Sequence, residues 1–165
     1  MSARSEWSGY KPEFIDDLDE FLRVHRKTLK NVVGRELLQV WVPWHSDWNT
    51  RWVDGPIVLE FQAFRLELEG ACCQFSVAVD SLDMDAPLPG PLVWVHNSPE
   101  FQPERFVGSQ VTAVNALSYD DGDRIAGLEF TFNNGETLNI FDNGDETGIS
   151  VGKIGPETLF AVAFS

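Results

Sequence analysis

Cysteine and positive charge are scarce in this 165-residue chain. The only two cysteines, Cys72 and Cys73, are adjacent, which excludes a disulfide framework and, with no second ligand cluster, a zinc pattern. Their segment reads as a strand, where neighbouring side chains point to opposite faces, so reduced thiols are expected. Twelve Lys and Arg stand against 26 Asp and Glu, a net charge of −14. That sign excludes a broad nucleic-acid or anionic-membrane surface, because phosphates require a positive field. No apolar run approaches the roughly 20 residues of a membrane helix. The start, Met1-Ser2-Ala3-Arg4-Ser5-Glu6, has no apolar stretch of the signal-peptide kind, so a cytoplasmic protein is expected.

Apolar residues at 43% and charged residues at 23% are ordinary globular usage, and the length suits one domain, residues 1–165, with its own core. The fold class expected is mainly β (α+β), with one N-terminal helix followed by two similar antiparallel β-meanders, packed as a sandwich or merged into one curved sheet. Residues 12–30 carry the helix. Phe14, Ile15, Leu18, Phe21, Leu22, His25 and Leu29 form one apolar stripe, Pro12 suits the first turn, and acids precede bases as the helix dipole favours.

From residue 35 the helical spacing gives way to short alternating segments broken by Gly, Asp and Asn. The predicted strands are 36–42, 57–62, 64–68, 72–79, 92–96, 111–119, 125–132, 137–142, 148–151 and 158–164. The turn Asn133-Asn134-Gly135-Glu136 predicts a hairpin between Ile125 and Asp142. The chain also reads as duplicated. Val33-Gly34-Arg35-Glu36-Leu37 parallels Val107-Gly108-Ser109-Gln110-Val111, and Ile57 to Phe61 with Arg65 to Leu68 parallels Leu128 to Phe132 with Thr137 to Ile140. This gives a first meander over 33–80, a connector over 81–106 and a second meander over 107–165. Neither meander is large enough to bury its apolar face alone, so the two are expected to pack together.

Four of the six tryptophans fall between Trp41 and Trp52. Pro43 predicts a strand end there, followed by a loop or one helical turn. Its rings either cap the β-core or form a contact surface, for which Trp44, His45, Asp47, Trp48 and Arg51 are the candidates. His45, Asp47 and Arg51 lack a nucleophile and an orienting partner in sequence, so no catalytic residue is assigned. His25 belongs to the helix stripe, and His96 is expected as a core histidine. No Walker pattern or glycine fingerprint occurs, and no cofactor is expected.

The acids of two turns, Asp120, Asp121 and Asp123, then Asp142, Asp145 and Glu146, offer oxygen ligands but no EF-hand spacing, so no metal is assigned. Charge distribution says more. Residues 1–40 hold seven acids and seven bases, whereas 107–165 hold nine acids and only Arg124 and Lys153. Such a field gives solubility, or speeds encounter with a basic partner.

With its acidic turns, its Trp44 to Trp52 loop and the strand-turn-strand run Leu128 to Gly135, the chain resembles the acidic immunity proteins of bacterial toxin systems. The resemblance is one of type, without an aligned motif. It implies a stoichiometric inhibitor covering the active cleft of a basic toxin, with no nucleic acid or membrane as partner. The alternative is a small-ligand or carbohydrate-binding β-domain, or an enzyme, with a pocket lined by Trp44, Trp48, Trp52 and Phe64 and polar groups from His45 and Arg51.

Overall fold

The computed structural model describes residues 7–119 and 122–152, together with the backbone of 160–163. A two-residue strand β1 (Phe14–Ile15) precedes helix α1 (Leu18–Val32). The helix thus starts later than its apolar stripe predicts. Asp17 caps it by accepting the Glu20 N–H at 2.7 Å, and so fixes the start of the helix. Phe14 and Ile15, which fit the helical stripe, instead pair with Ser76 and Phe75 at a sheet edge. Pro12 therefore lies outside the helix. Asp19 and Glu20 occupy the first turn and Lys30 the last, as the dipole favours.

The first sheet contains β2 (Leu37–His45), β3 (Thr50–Arg51), β4 (Ile57–Phe61), β5 (Arg65–Ala71), β6 (Gln74–Val79) and β7 (Leu92–Val95). Its order is β1-β6-β5-β4-β2-β3, with β7 also on β2. The second sheet contains β8 (Val111–Ser118), β9 (Ile125–Phe132), β10 (Thr137–Asn143), β11 (Glu146–Val151) and β12 (Phe160–Ala163), in the order β11-β10-β9-β8-β12. The fold is mainly β with one helix and two antiparallel sheets, as expected from sequence.

Two local expectations fail. β2 does not stop at Val42 but runs through Pro43 to His45, because a proline removes only its own N–H; its carbonyl still accepts the Trp52 N–H at 2.8 Å. Cys72 and Cys73 do not begin a strand. They are the two central residues of the β5–β6 turn, both at positive φ (47° and 68°). The Cys72 N–H donates to the Gly144 carbonyl at 3.0 Å and the Cys73 N–H to the Asp142 carboxylate at 2.8 Å, which holds the turn open. Both thiols are free and exposed.

The two sheets repeat one register. Leu37 pairs with Phe61 and Val40 with Leu59, with a bulge between Leu37 and Gln39. Val111 pairs with Phe132 and Val114 with Phe130, with a bulge between Val111 and Ala113. Leu66 faces Val79 as Leu138 faces Val151, and β7 lies on β2 as β12 lies on β8. The segments meet about a local twofold axis at the Glu36–Gln110 bridge. Gly34 N–H donates to Val111 O at 2.7 Å and Gly108 N–H to Leu37 O at 2.8 Å; Leu37 N–H reaches Ser109 O and Val111 N–H reaches Arg35 O, both at 2.9 Å. Gly34 and Gly108 hold φ of +89° and +88°, a backbone state that favours glycine.

Inner-face residues of both sheets and the α1 stripe (Leu18, Phe21, Leu29 and Val32) share one core. Phe101 and Phe106, from the connector, are fully buried in it. The sheets come very close where β5 meets β10: a Cβ on Gly70 would stand 2.5 Å from Asp142 Cα. A second apolar cluster, with Trp7, Tyr10, Val58 and Leu82 at its centre, includes residues from the other face of the first sheet.

Candidate functional site

Strands β2 and β3 pair Trp44 with Arg51 and His45 with Thr50, so the tryptophan-rich segment is a hairpin whose tip is Ser46 to Asn49. Asn49 turns the chain at φ 50°. The Trp48 N–H donates to His45 Nδ1 at 3.2 Å, and the two rings stack 3.7 Å apart at 5°. His45 is buried beneath a Trp48 ring that remains 66% exposed. Trp52 closes the group from 6.2 Å, and Trp44 is half-buried in β2. Arg51 is spoken for on both sides. Its Nε lies 3.0 Å from Glu100 and its Nη1 donates to the Thr147 carbonyl at 2.8 Å. Of the five hairpin candidates, Asp47 and Trp48 therefore face outward, while Trp44, His45 and Arg51 build the support.

That arginine joins the hairpin to β11, and the Thr147 N–H to Val53 O bond at 2.9 Å repeats the link. Beside it lies the β10–β11 turn. Asp145 and Glu146 are exposed there, as expected of turn acids. Asp142 is not: at 5% exposure it accepts the Tyr119 O–H at 2.5 Å and the Cys73 N–H. A partner cannot reach it, and its work is to tie two hairpins and β8 together. Burial, then the hydrogen bond to Asp142, raises the Tyr119 hydroxyl well above its usual pKa. Asp145 accepts the Cys72 thiol hydrogen, and that bond, reinforced by the carboxylate charge, raises the Cys72 pKa.

Asp123 sits exposed in the β8–β9 turn, at the same end of the second sheet. Its carbonyl accepts the Leu18 N–H at 2.8 Å, and Ile125 N–H reaches Asp16 O at 2.9 Å, so the turn rests on the start of α1. The exposed acids Asp16, Asp17, Asp19 and Glu20 thereby join this end. In sequence they read only as helix-dipole residues, because the long-range pairing that gathers them has no local signal. Asp120 and Asp121 lie outside the described residues.

Other expectations are corrected. Phe64 does not share a pocket with the tryptophans: it lies in the β4–β5 turn against Phe61, at the opposite end of β2 from the hairpin. His45 and Arg51, expected to fix a polar ligand group at the Trp44 to Trp52 loop, are bonded within the molecule. His96 is an exposed residue whose ring meets Trp41 edge-on at 4.9 Å, because β7 ends at Val95. Gly148-Ile149-Ser150-Val151-Gly152 spells the glycine-serine-glycine pattern of a hydrolase elbow. It lies flat in the β10–β11 ladder, with Ser150 opposite Asn139 and 3.3 Å from its amide, so the sharp strand-to-helix turn that presents such a nucleophile is not formed here.

Among the described residues no three His, Cys, Asp or Glu are grouped to hold a metal ion, and no helix is long and apolar enough to cross a membrane. Comparison with known proteins yields no match to a family model, a curated protein or a solved structure. One end of the molecule presents exposed carboxylates from three elements, and the exposed Trp48 indole stands on a hairpin that Arg51 ties to β11.

Proposed function

We propose that this chain is a non-enzymatic acidic protein-binding domain, a stoichiometric inhibitor of the immunity-protein type that covers the active cleft of a basic cognate toxin in the cytoplasm. The observation that carries this reading is the gathering of exposed Asp145, Glu146, Asp123 and the acids opening α1 at one end, with the exposed Trp48 on a hairpin tied to β11. Exposed like charges at one end steer a basic partner into encounter, and an exposed indole on a rigid base supplies the desolvated anchor that interfaces favour. Inhibition is steric and electrostatic. Asp142, Arg51 and His45 hold the surface in shape without touching the partner.

The test is retention from lysate of the cell that makes the protein, at low and moderate salt, followed by mass spectrometry. One stoichiometric basic protein is expected. Asp145→Lys with Glu146→Lys is expected to slow its association about tenfold and flatten the salt dependence. Trp48→Ala is expected to speed dissociation by about tenfold. If no basic protein is retained at either salt, or if charge reversal leaves the association rate unchanged, the docking end is wrongly assigned.

A further inference from the structure

On the outer face of the first sheet, away from the acidic end, Trp41, Glu60, Arg65 and Trp94 meet Met84 and Asp85 of the following connector around a cavity of about 220 Å³. We infer that this cavity is a binding site for the head group of a small alkylated ammonium cation. Both indoles are held before any ligand arrives. Trp41 donates its N–H to Glu60 Oε2 at 3.0 Å and meets His96 edge-on, and Trp94 is braced against Trp7, 5.6 Å away at 81°. Rigid aromatic walls attract a cation that carries no strong hydrogen-bonding demand.

The charges select the same guest. Among the described residues Glu60 Oε1 receives no hydrogen bond, Asp85 is exposed, and the one lining cation, Arg65, is engaged through Nη2 by the Leu82 carbonyl at 3.3 Å. The lining is net negative, so an anion entering it would face two carboxylates. A bare metal ion would find only those two ligands. The volume lies below the roughly 300–1,000 Å³ of sites that take drug-sized molecules, which limits the guest to a few heavy atoms.

The backbone does not require these side chains. In the second sheet, the positions related by register to Trp41, Glu60, Arg65 and Trp94 are Asn115, Thr131, Thr137 and Ala161. The same ladder forms there without an aromatic or charged residue at any of the four.

Choline chloride titrated into the ¹⁵N-labelled protein, against potassium chloride at equal ionic strength, reads the six tryptophan indole N–H signals directly. The Trp41 and Trp94 signals are expected to shift and saturate with choline alone. Glu60→Gln, which keeps an acceptor for the Trp41 indole, and Asp85→Asn, at an exposed position, are each expected to weaken the response about three- to tenfold, and Trp94→Leu about tenfold or more. The inference is overturned if potassium chloride reproduces the shifts, if the response survives both carboxamide variants unchanged, or if glucose or acetate saturates these signals and choline does not.

Discussion

The two sheets share a ladder and differ in what lies on their outer faces. In the first, Glu67 is buried and fully occupied, accepting the Ser81 N–H at 3.0 Å, the Ser81 hydroxyl at 2.8 Å and the Leu82 N–H. Glu69, fully buried, accepts the Tyr10 hydroxyl at 2.6 Å. These bonds meet the requirement that a buried carboxylate be hydrogen-bonded, and they fasten the N-terminal segment and the connector over the sheet. In the second sheet the register equivalent of Glu67 is Asn139, which donates to the Gly152 carbonyl at 2.6 Å. The inner faces are alike in apolar pattern; the outer faces are not. Register is specified by the face that builds the core, which leaves the other face free to take on different chemistry.

Substitutions at equivalent positions test how deep that likeness runs. The largest effect is expected at Gly70, whose Cβ would collide with Asp142 backbone atoms. Gly70→Ala is expected to lose about 3 kcal/mol in urea unfolding; a loss below about 1 kcal/mol would show that the two strands can move apart. Gly34→Ala and Gly108→Ala each add a methyl group in open space at positive φ. Each is expected to cost about 1–2 kcal/mol, and equal costs would confirm that the two halves use the same bend; a difference beyond about 1 kcal/mol would break the equivalence.

Among the described residues helix α1 has no counterpart in the second half, and its His25 supplies a pH effect that the repeat does not share. Burial holds the His25 imidazole below its ordinary pKa of 6.5, with Glu13 opposing, and among the described residues the buried Nε2 has no partner. Below that ordinary value the unfolded chain binds more protons than the folded one, so stability falls as pH falls toward the depressed value. His25→Leu is expected to flatten the difference in unfolding free energy between about pH 7.5 and about pH 5.5; an unchanged difference removes His25 from the account. The smallest effect is at the β5–β6 turn. In a Cys73→Ser background, Asp145→Asn is expected to speed alkylation of Cys72 about threefold at mildly alkaline pH, since it removes the carboxylate that raises the thiol pKa.

Much of this architecture is written in the sequence in a readable form. The repeat shows in Val33-Gly34 and Val107-Gly108 because both glycines serve a bend that few other residues adopt, and because the strands after them keep an alternating apolar face. The start of α1 is less legible: Phe14 and Ile15 satisfy helical spacing and strand pairing equally, and the Asp17 cap decides between them. Cysteine carries no turn signal, so the β5–β6 turn rests on tertiary bonds to Asp142 and Gly144 that no local pattern reports. At the candidate site, exposed Asp145, Glu146 and Trp48 follow from turn and loop chemistry. Asp142 does not, since an acid in a turn reads as solvated until Tyr119 and Cys73 are brought to it.

The meeting of Gly70 and Asp142 also breaks the twofold symmetry where the halves come closest. The two positions are equivalents across the twofold axis and touch each other, so a molecule made of identical halves would have met itself there. At the present spacing identical halves fit only if both carry glycine. With glycine on one side and aspartate on the other, the contact makes the two halves non-interchangeable at the point where they lie closest.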